Sequence, residues 1–310
     1  MKRGPDQKGR RASAGFGELA YWLGLLPAPI IIVVFLVLPL LIVAAYSFMA
    51  PNEYGGVVPQ FSLEAYVEFL FERQLDLSLV FNDAYLVITA RSLLLALATM
   101  LITLAVGFPV ATYIALQPRD RRNTLILLIT IPFWTNTLVR TYCWVLLLRD
   151  TGVVNAALQS VGLISHPISL LYSNPAILIG LVYSYAPFMV LPIYASLEKL
   201  DHRLIEAAYD LYASRPQILR RIIWPAAKPG VVAGCLLTFI PSIGAQIAPD
   251  LLGGGKNMMF GNLIFRQFTD GRNWPFGAAL AMLLLAIVVA AGTIYLMRLN
   301  ASNAARGRLS

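Results

Sequence analysis

Glu206, Ala207, Ala208, Asp210, Leu211, Tyr212, Ala213 and Ser214 fall in one stretch, LIEAAYDLYASRPQILRRIIWPAAKPG (Leu204–Gly230), which also carries Arg215, Arg220, Arg221 and Lys228. These side chains contain no nucleophile–base pair and no metal-ligand spacing, so the chemistry open to them is recognition. Leu204, Ala207, Ala208 and Leu211 recur at i, i+3, i+4 and i+7, one face of a helix, and Asp201 is placed to cap its start. The small Ala207 and Ala208 permit close approach by a groove of another protein. Ser214 and Gln217 have capping-box spacing, and Pro216 suits the first turn of a new helix. The stretch therefore predicts two short helices with a bend at about residues 212–215. An amphipathic loop lying on a membrane surface has the same pattern, and the residues alone leave both readings open.

A second set suits the binding of cations. In VVAGCLLTFIPSIGAQIAPDLLGGG (Val231–Gly255), Pro241 and Pro249 each lack a backbone donor, and Ser242, Gly244 and Gln246 interrupt the apolar pattern. Broken helix inside a membrane is tolerated where it is buried in protein or lines a water-filled cavity, and transporters place sites there. Asp250, near one end, is positioned either to receive an amine or to sit solvated at the interface. Tyr183, Tyr185, Phe188 and Tyr194 lie beside Pro187 and Pro192, and Trp134 and Asn136 form a similar group. Aromatic faces attract ammonium groups by about 0.5–2 kcal/mol each; packing is their other use. Arg140 is predicted to form a structural ion pair with an acid, because a charge at the centre of a span costs about 2.5–3.5 kcal/mol.

Other chemistries find no support. Two histidines and two cysteines, Cys143 and Cys235, provide no metal-ligand spacing and no disulfide framework. LLGGGKN lacks the GxxxxGK(S/T) spacing of a phosphate loop. No cofactor is expected in this chain.

The elements that must hold these residues follow from hydropathy. Of 310 residues, 58% are hydrophobic and 13% charged, against about a quarter charged in a soluble domain. The net charge of +8 is spread in short clusters between apolar runs, the pattern that orients membrane proteins, and argues against nucleic acid. The runs predict an all-α, six-span membrane protein: Trp22–Met49, then about Ser92–Leu116, Thr124–Leu148, Ala176–Leu197, Val231–Leu252 and Phe276–Met297. The first run is too long for a cleaved signal peptide. The tail, Pro118–Asn123, Glu198–Gly230 and the residues after Met297 hold 5, 3, 6 and 3 Lys and Arg, 17 of 24. Both termini and the loop 198–230 are therefore expected in the cytoplasm. Residues 1–21 form a basic tail expected to be disordered, 22–298 the span domain and 299–310 a second tail. The outer segment 50–91 is acidic (Glu53, Glu64, Glu68, Glu72, Asp76, Asp83), and Val153–Leu163 reads as a short helix.

EAAYDLYASRPQILRRIIWP resembles the EAA loop of ABC importer permeases, where E-A-A is followed by Gly four residues beyond the second Ala and then by I-x-L-P. Glu206, Ala207, Ala208, Ile222 and Pro225 match; Tyr212 replaces the Gly and Trp224 the Leu. Tyrosine is poor in the left-handed backbone that glycine tolerates, so a bend of different shape is expected. PFWTNTLVRTY (Pro132–Tyr142), GLVYSYAPFMVLPIYASLEKLD (Gly180–Asp201) and DLLGGGKNMMFGNLI with NWPFGAA (Asp250–Ala279) resemble the spermidine/putrescine importer permeases, the first of their two permease subunits. Gln246 and Ile247 stand where those relatives tend to carry aromatic residues before the acid.

The resemblance, covering about Trp22–Met297, implies a partner set: a second homologous permease, two cytoplasmic ATPases that grip the EAA loops and bind ATP and Mg, and a periplasmic binding protein that delivers a small cationic substrate. It implies the bacterial inner membrane, ATPase docking by residues 206–214, and a path past Trp134, Asn136, Tyr183, Tyr185, Gln246 and Asp250. Another cationic or amino-acid-like solute fits the same architecture. A membrane enzyme would need clustered acids or histidines, and a secondary transporter would have little use for a docking loop.

Overall fold

The computed structural model describes residues 27–52, 54–73 and 79–307. The tail 1–21 and the acidic residues Glu53 and Asp76 lie outside them. The chain opens with helix α1 (Pro27–Ile32), a π-helical turn (Val33–Val37) and α2 (Leu38–Tyr46). Strands β1 (Met49–Pro51) and β2 (Val57–Phe61), helix α3 (Glu64–Glu68) and strands β3 (Phe71–Arg73) and β4 (Leu79–Phe81) follow. Next come α4 (Ala84–Ala115), α5 (Arg119–Thr130), a 3-10 turn (Ile131–Trp134), α6 (Thr137–Leu148), α7 (Val153–Ser160) and α8 (Asn174–Leu197). The remainder is α9 (Arg203–Asp210), α10 (Arg215–Ile218), a π-helical turn (Leu219–Ile223), α11 (Trp224–Ile243), α12 (Ile247–Gly253), α13 (Phe260–Phe268) and α14 (Trp274–Gly307). Contacts divide the chain into Phe69–Gly271 and a smaller unit of Met1–Glu68 with Arg272–Ser310.

In the larger unit α4, α8 and α11 pack on one another around Ala111, Ile114, Met189, Ile193, Ala227 and Val231. Glycine lets α11 approach α8 closely: a Cβ at Gly230 would strike the Pro192 carbonyl, and one at Gly234 would lie 2.8 Å from the Met189 sulfur. Gly230 and Gly234 are four residues apart, so they clear one face, the small-residue route to tight packing of membrane helices. A second cluster, with Leu95, Leu148, Ile177, Leu181, Ala248 and Leu252, joins α4, α6, α8 and α12. Thr99 and Thr103 are buried in α4, and each hydroxyl donates to the carbonyl four residues back at 2.7 Å, which satisfies them without a partner helix.

In the smaller unit, Pro29–Tyr46 has a mean hydropathy of 2.9 and no buried residue in the window. Just beyond it, the Ser47 hydroxyl donates to the Ala44 carbonyl at 2.7 Å and accepts from the Tyr66 hydroxyl at 2.9 Å. The Asn273 amide donates to the Glu68 carboxylate at 3.1 Å, and Tyr46 lies 6.4 Å from Trp274.

The chain is mostly helical, as expected, and several details are added or corrected. Two short ribbons interrupt the helices: β1 pairs antiparallel with β2, and β3 with β4. Residues of high β propensity (Val57, Val58, Phe61, Val80, Phe81) build these ribbons, and Gly55 and Gly56, at φ 96° and 91°, turn the first. The second span begins earlier than Ser92, because Asn82 caps the chain by accepting the Ala84 N–H at 2.9 Å. The third is not continuous: Arg119–Trp134 and Thr137–Ser160 meet at 90°. Pro132 lacks a donor there, and Asn136 restarts a helix by accepting the Leu138 N–H at 2.8 Å. The fifth is broken at residues 244–246, where Gly244 and Gln246 interrupt the apolar pattern as expected; Pro241 is tolerated inside α11, and Pro249 sits in the first turn of α12, where no N–H is needed.

Among the described residues, four helices are long and apolar enough to cross a membrane: Pro29–Tyr46, Ala84–Ala115, Asn174–Leu197 and Arg215–Ile243. The bent pair makes a fifth if taken as one span, and Trp274–Ala290 is a shorter apolar stretch.

Candidate functional site

The loop after α8 folds as two short helices. The Asp201 carboxylate accepts the Arg203 N–H at 3.0 Å, serving the first turn of α9. Gln217 reaches back to the Ser214 N–H at 2.8 Å, the return arm of a capping box at the start of α10. Ile205, Ala208, Ala213 and Ile218 pack inward on the main core. Leu204, Glu206, Ala207, Asp210, Leu211, Tyr212 and Ser214 remain exposed, with Leu211 at 81% and Tyr212 at 97%. The predicted stripe is thus split: Ala208 anchors the helix, while Leu204, Ala207 and Leu211 form an apolar face open to the outside.

The bend keeps the left-handed backbone despite losing the glycine. Tyr212 has φ 58°. The Ala213 N–H reaches the Ala208 carbonyl at 3.0 Å and the Tyr212 N–H reaches Tyr209 at 2.9 Å, the paired bonds of a Schellman ending. Two bonds and the inward packing of Ala208 and Ala213 hold the tyrosine in a conformation its Cβ disfavours.

The loop is tied down at its start. Arg122, on α5, forms an ion pair with Glu198 at 3.3 Å, and its guanidinium lies 6.0 Å from the Tyr194 ring centroid. Arg122 is 17% exposed and Glu198 45%, so the pair sits half in solvent. It joins the first turns of the broken third span to the root of the two short helices α9 and α10.

At the opposite end of α11 lies an open cavity of about 260 Å³. Its walls include Phe133, Thr137 and Arg140 from the broken third span, Tyr185 and Phe188 from α8, and the chain from Gly244 to Ala248. Where α11 stops, the Ala245 N–H turns to the Ser242 carbonyl at 3.3 Å. The Pro241 carbonyl, left without a helical donor, accepts the Tyr185 hydroxyl at 3.1 Å. Phe188 packs edge-on to Phe133 at 5.0 Å. Arg140 does not have the acid expected for it. Its guanidinium donates to the Thr137 hydroxyl at 3.1 Å and lies 5.4 Å from the Phe133 ring centroid. Its Nε is buried without a hydrogen-bond partner, and no carboxylate among the described residues pairs with it.

Of the path residues named from the sequence, the cavity gathers Tyr185 and Gln246. The others are not among the residues that line it: Tyr183 packs edge-on to Trp144 at 5.6 Å, Trp134 is 78% exposed, and Asn136 is the helix cap described above. Asp250 pairs with Arg266 of α13 at 3.3 Å.

Sequence reasoning did not single out Arg122, Arg266 or Gly261, because their roles are contacts between distant segments. A Cβ on Gly261 would collide with the backbone of Gly244 and Ala245, so α13 presses directly on the break. Asn155 was also missed: buried, it donates to the Arg149 and Ile168 carbonyls at 3.2 and 2.9 Å and accepts the Ile168 N–H at 2.9 Å.

Residues 107–306 match the family described as binding-protein-dependent transport system inner membrane component. The chain is 40% identical over 257 residues to the spermidine/putrescine transport system permease protein PotB of Salmonella typhimurium, covering 83% of this chain and 86% of that protein. It is 39% identical to the Escherichia coli protein of the same name over 257 residues, 83% and 90% of the two chains. The fold is similar to a chain in the crystal structure of a bacterial alginate ABC transporter in complex with an alginate pentasaccharide-bound periplasmic protein. There the TM-score is 0.69 at 17% identity, over 88% of this chain and 93% of the other.

Proposed function

This chain belongs to the family of binding-protein-dependent transport system inner membrane components, and from that premise we propose that the solute it imports is a polyamine, spermidine or putrescine. It is a permease subunit of an ABC importer in the inner membrane. The observation that carries the polyamine reading is the 39–40% identity to PotB proteins over 83% of the chain.

In this reading six spans cross the membrane, with the broken third helix counted as one and both termini in the cytoplasm. ATP and Mg bind two partner ATPases, one of which receives the exposed face of residues 204–214. A second permease completes the pathway, and a periplasmic protein delivers the amine. Closure of the ATPases shifts the docking loop, and the helix that begins there ends at the cavity, so the two move together. Tyr185 and Phe188 offer aromatic rings to an ammonium group, and Gln246 offers an amide oxygen. Asp250, held by Arg266, takes part at the edge of the route.

One observation favours a second reading, an amino-acid-like solute: the charged side chain on the cavity is a guanidinium. The deciding experiment is uptake of radiolabelled putrescine and spermidine into proteoliposomes holding all the subunits and ATP. ATP-dependent accumulation of either amine is expected. Accumulation of an amino acid with neither amine transported would move the assignment to the second reading.

A further inference from the structure

We propose that Arg140 is a charge selector: its fixed cation offsets the aromatic part of the cavity, so that an amine is held there only briefly and each further ammonium group on it is disfavoured. This deepens the polyamine reading above and rests on it.

The cavity gathers groups that act on a cation in opposite senses. Tyr185 and Phe188, with ring centroids 6.1 Å apart, and the Gln246 amide favour an ammonium group. Arg140 is the one charged side chain among the described residues that line the cavity, and it is positive. The two sets are neighbours. Phe133 lies 5.0 Å from Phe188 and 5.4 Å from the Arg140 guanidinium. An ammonium drawn to Phe188 is therefore on the order of 10 Å from a like charge, a separation at which partly buried charges escape much of the screening by salt.

The cation is held at the wall. Its guanidinium donates to the Thr137 hydroxyl at 3.1 Å, lies against the Phe133 ring, and has its Nε buried within the chain. Nor is the charge cancelled from within the cavity. No carboxylate is among the described residues that line it, and Asp250 is engaged by Arg266.

A transport pathway needs sites that a solute both enters and leaves, and a fixed arginine is one way to set an electrostatic barrier to cations. Rings alone would hold an amine more tightly as its charges multiply. Arg140 removes that advantage, because its repulsion grows with every charge the solute brings. Spermidine, with one more ammonium group than putrescine, meets the higher barrier at this point of the path.

The test compares the two amines in the full complex. Initial rates of uptake are measured in proteoliposomes holding all the subunits, with each amine saturating the same binding protein, whose own preference then cancels between wild type and variant. Arg140→Gln is expected to raise the spermidine-to-putrescine ratio about three- to tenfold, and Arg140→Lys to keep the wild-type ratio. Thr137→Asp leaves Arg140 in place, sets a carboxylate beside it in the first turn of α6, where an acid is favourable, and should shift the ratio in the same direction as Gln. An unchanged or lowered ratio in Arg140→Gln and Thr137→Asp at normal membrane levels would overturn the proposal, as would a Lys variant that behaves like Gln. So would an equal loss of both amines in all three variants, the mark of a purely structural arginine. Transport of neither amine by the unmodified complex defeats the polyamine reading itself, whereas normal amine transport with an unmoved ratio in the variants defeats the selector alone.

Discussion

The Tyr185 hydroxyl caps the Pro241 carbonyl at 3.1 Å, at the point where α11 stops. It replaces the donor that a continuing helix would have supplied. Tyr185→Phe keeps the ring on the cavity and removes only this bond, with an expected loss of about 0.5–1.5 kcal/mol. Thermal inactivation of the purified complex reads the loss. An unchanged inactivation temperature would show that water serves the carbonyl equally well.

Tyr212 holds a left-handed backbone at φ 58° with its side chain almost fully exposed. Tyr212→Gly should relieve about 1 kcal/mol of backbone cost and leave uptake intact or raise chain abundance. Tyr212→Val, branched at Cβ, should lower abundance. If Gly proves the more damaging of the two, the tyrosine ring itself is a docking contact.

Ala207 lies on the exposed side of α9 while Ala208 faces the core. Ala207→Trp should abolish uptake with normal membrane levels, because bulk is added only where the ATPase is proposed to sit. Ala208→Trp should instead deplete the chain by overpacking, at about 1–3 kcal/mol. Normal uptake by Ala207→Trp would remove this face from the docking surface.

The Arg122–Glu198 pair is partly solvated, so its coupling should be small. A double-mutant cycle with Arg122→Met and Glu198→Gln should give about 0.2–1 kcal/mol, shrinking as salt is raised. A coupling that does not change with salt would identify a different interaction between the two.

A Cβ on Gly230 would strike the Pro192 carbonyl oxygen, whereas one on Gly234 would meet backbone no nearer than the Met189 carbonyl oxygen at 3.1 Å, with the Met189 sulfur at 2.8 Å. Gly230→Ala should therefore destabilise the complex by about 1–3 kcal/mol, and Gly234→Ala by less, since its tightest contact is a flexible side chain. Matching melting temperatures for the two variants would contradict this account of the helix contact.

Local signals carried much of this molecule. The two short helices after α8, their bend, the Asp201 and Ser214–Gln217 caps and the interruption of the fifth helix all depend on neighbours within a few residues, and each was visible in the spacing. The long apolar helices were visible because lipid demands long apolar runs. What escaped depends on distance in the chain. Asp250 looked free because Arg266 is 16 residues away on another helix. The third helix looked continuous because Pro132 and Asn136 are each compatible with a kinked span, and only tertiary packing selects a right-angle turn. Tyr212 was judged by its intrinsic preference, which two hydrogen bonds and the packing of its neighbours override.

The helical course from Arg215 to Ile243 is 29 residues long, about 43 Å at the usual rise. It crosses α8 at Gly230 and Gly234, near its middle. Such a rod behaves as a seesaw, with the glycine crossing as its fulcrum. A tilt of about 10° about that point moves each end by about 4 Å, in opposite directions, given arms of about 20 Å. Pushing the Arg215 end one way therefore carries Gly244 and Gln246 the other way, and the wall of the cavity shifts by more than the width of a methylene without any bond in the helix being broken.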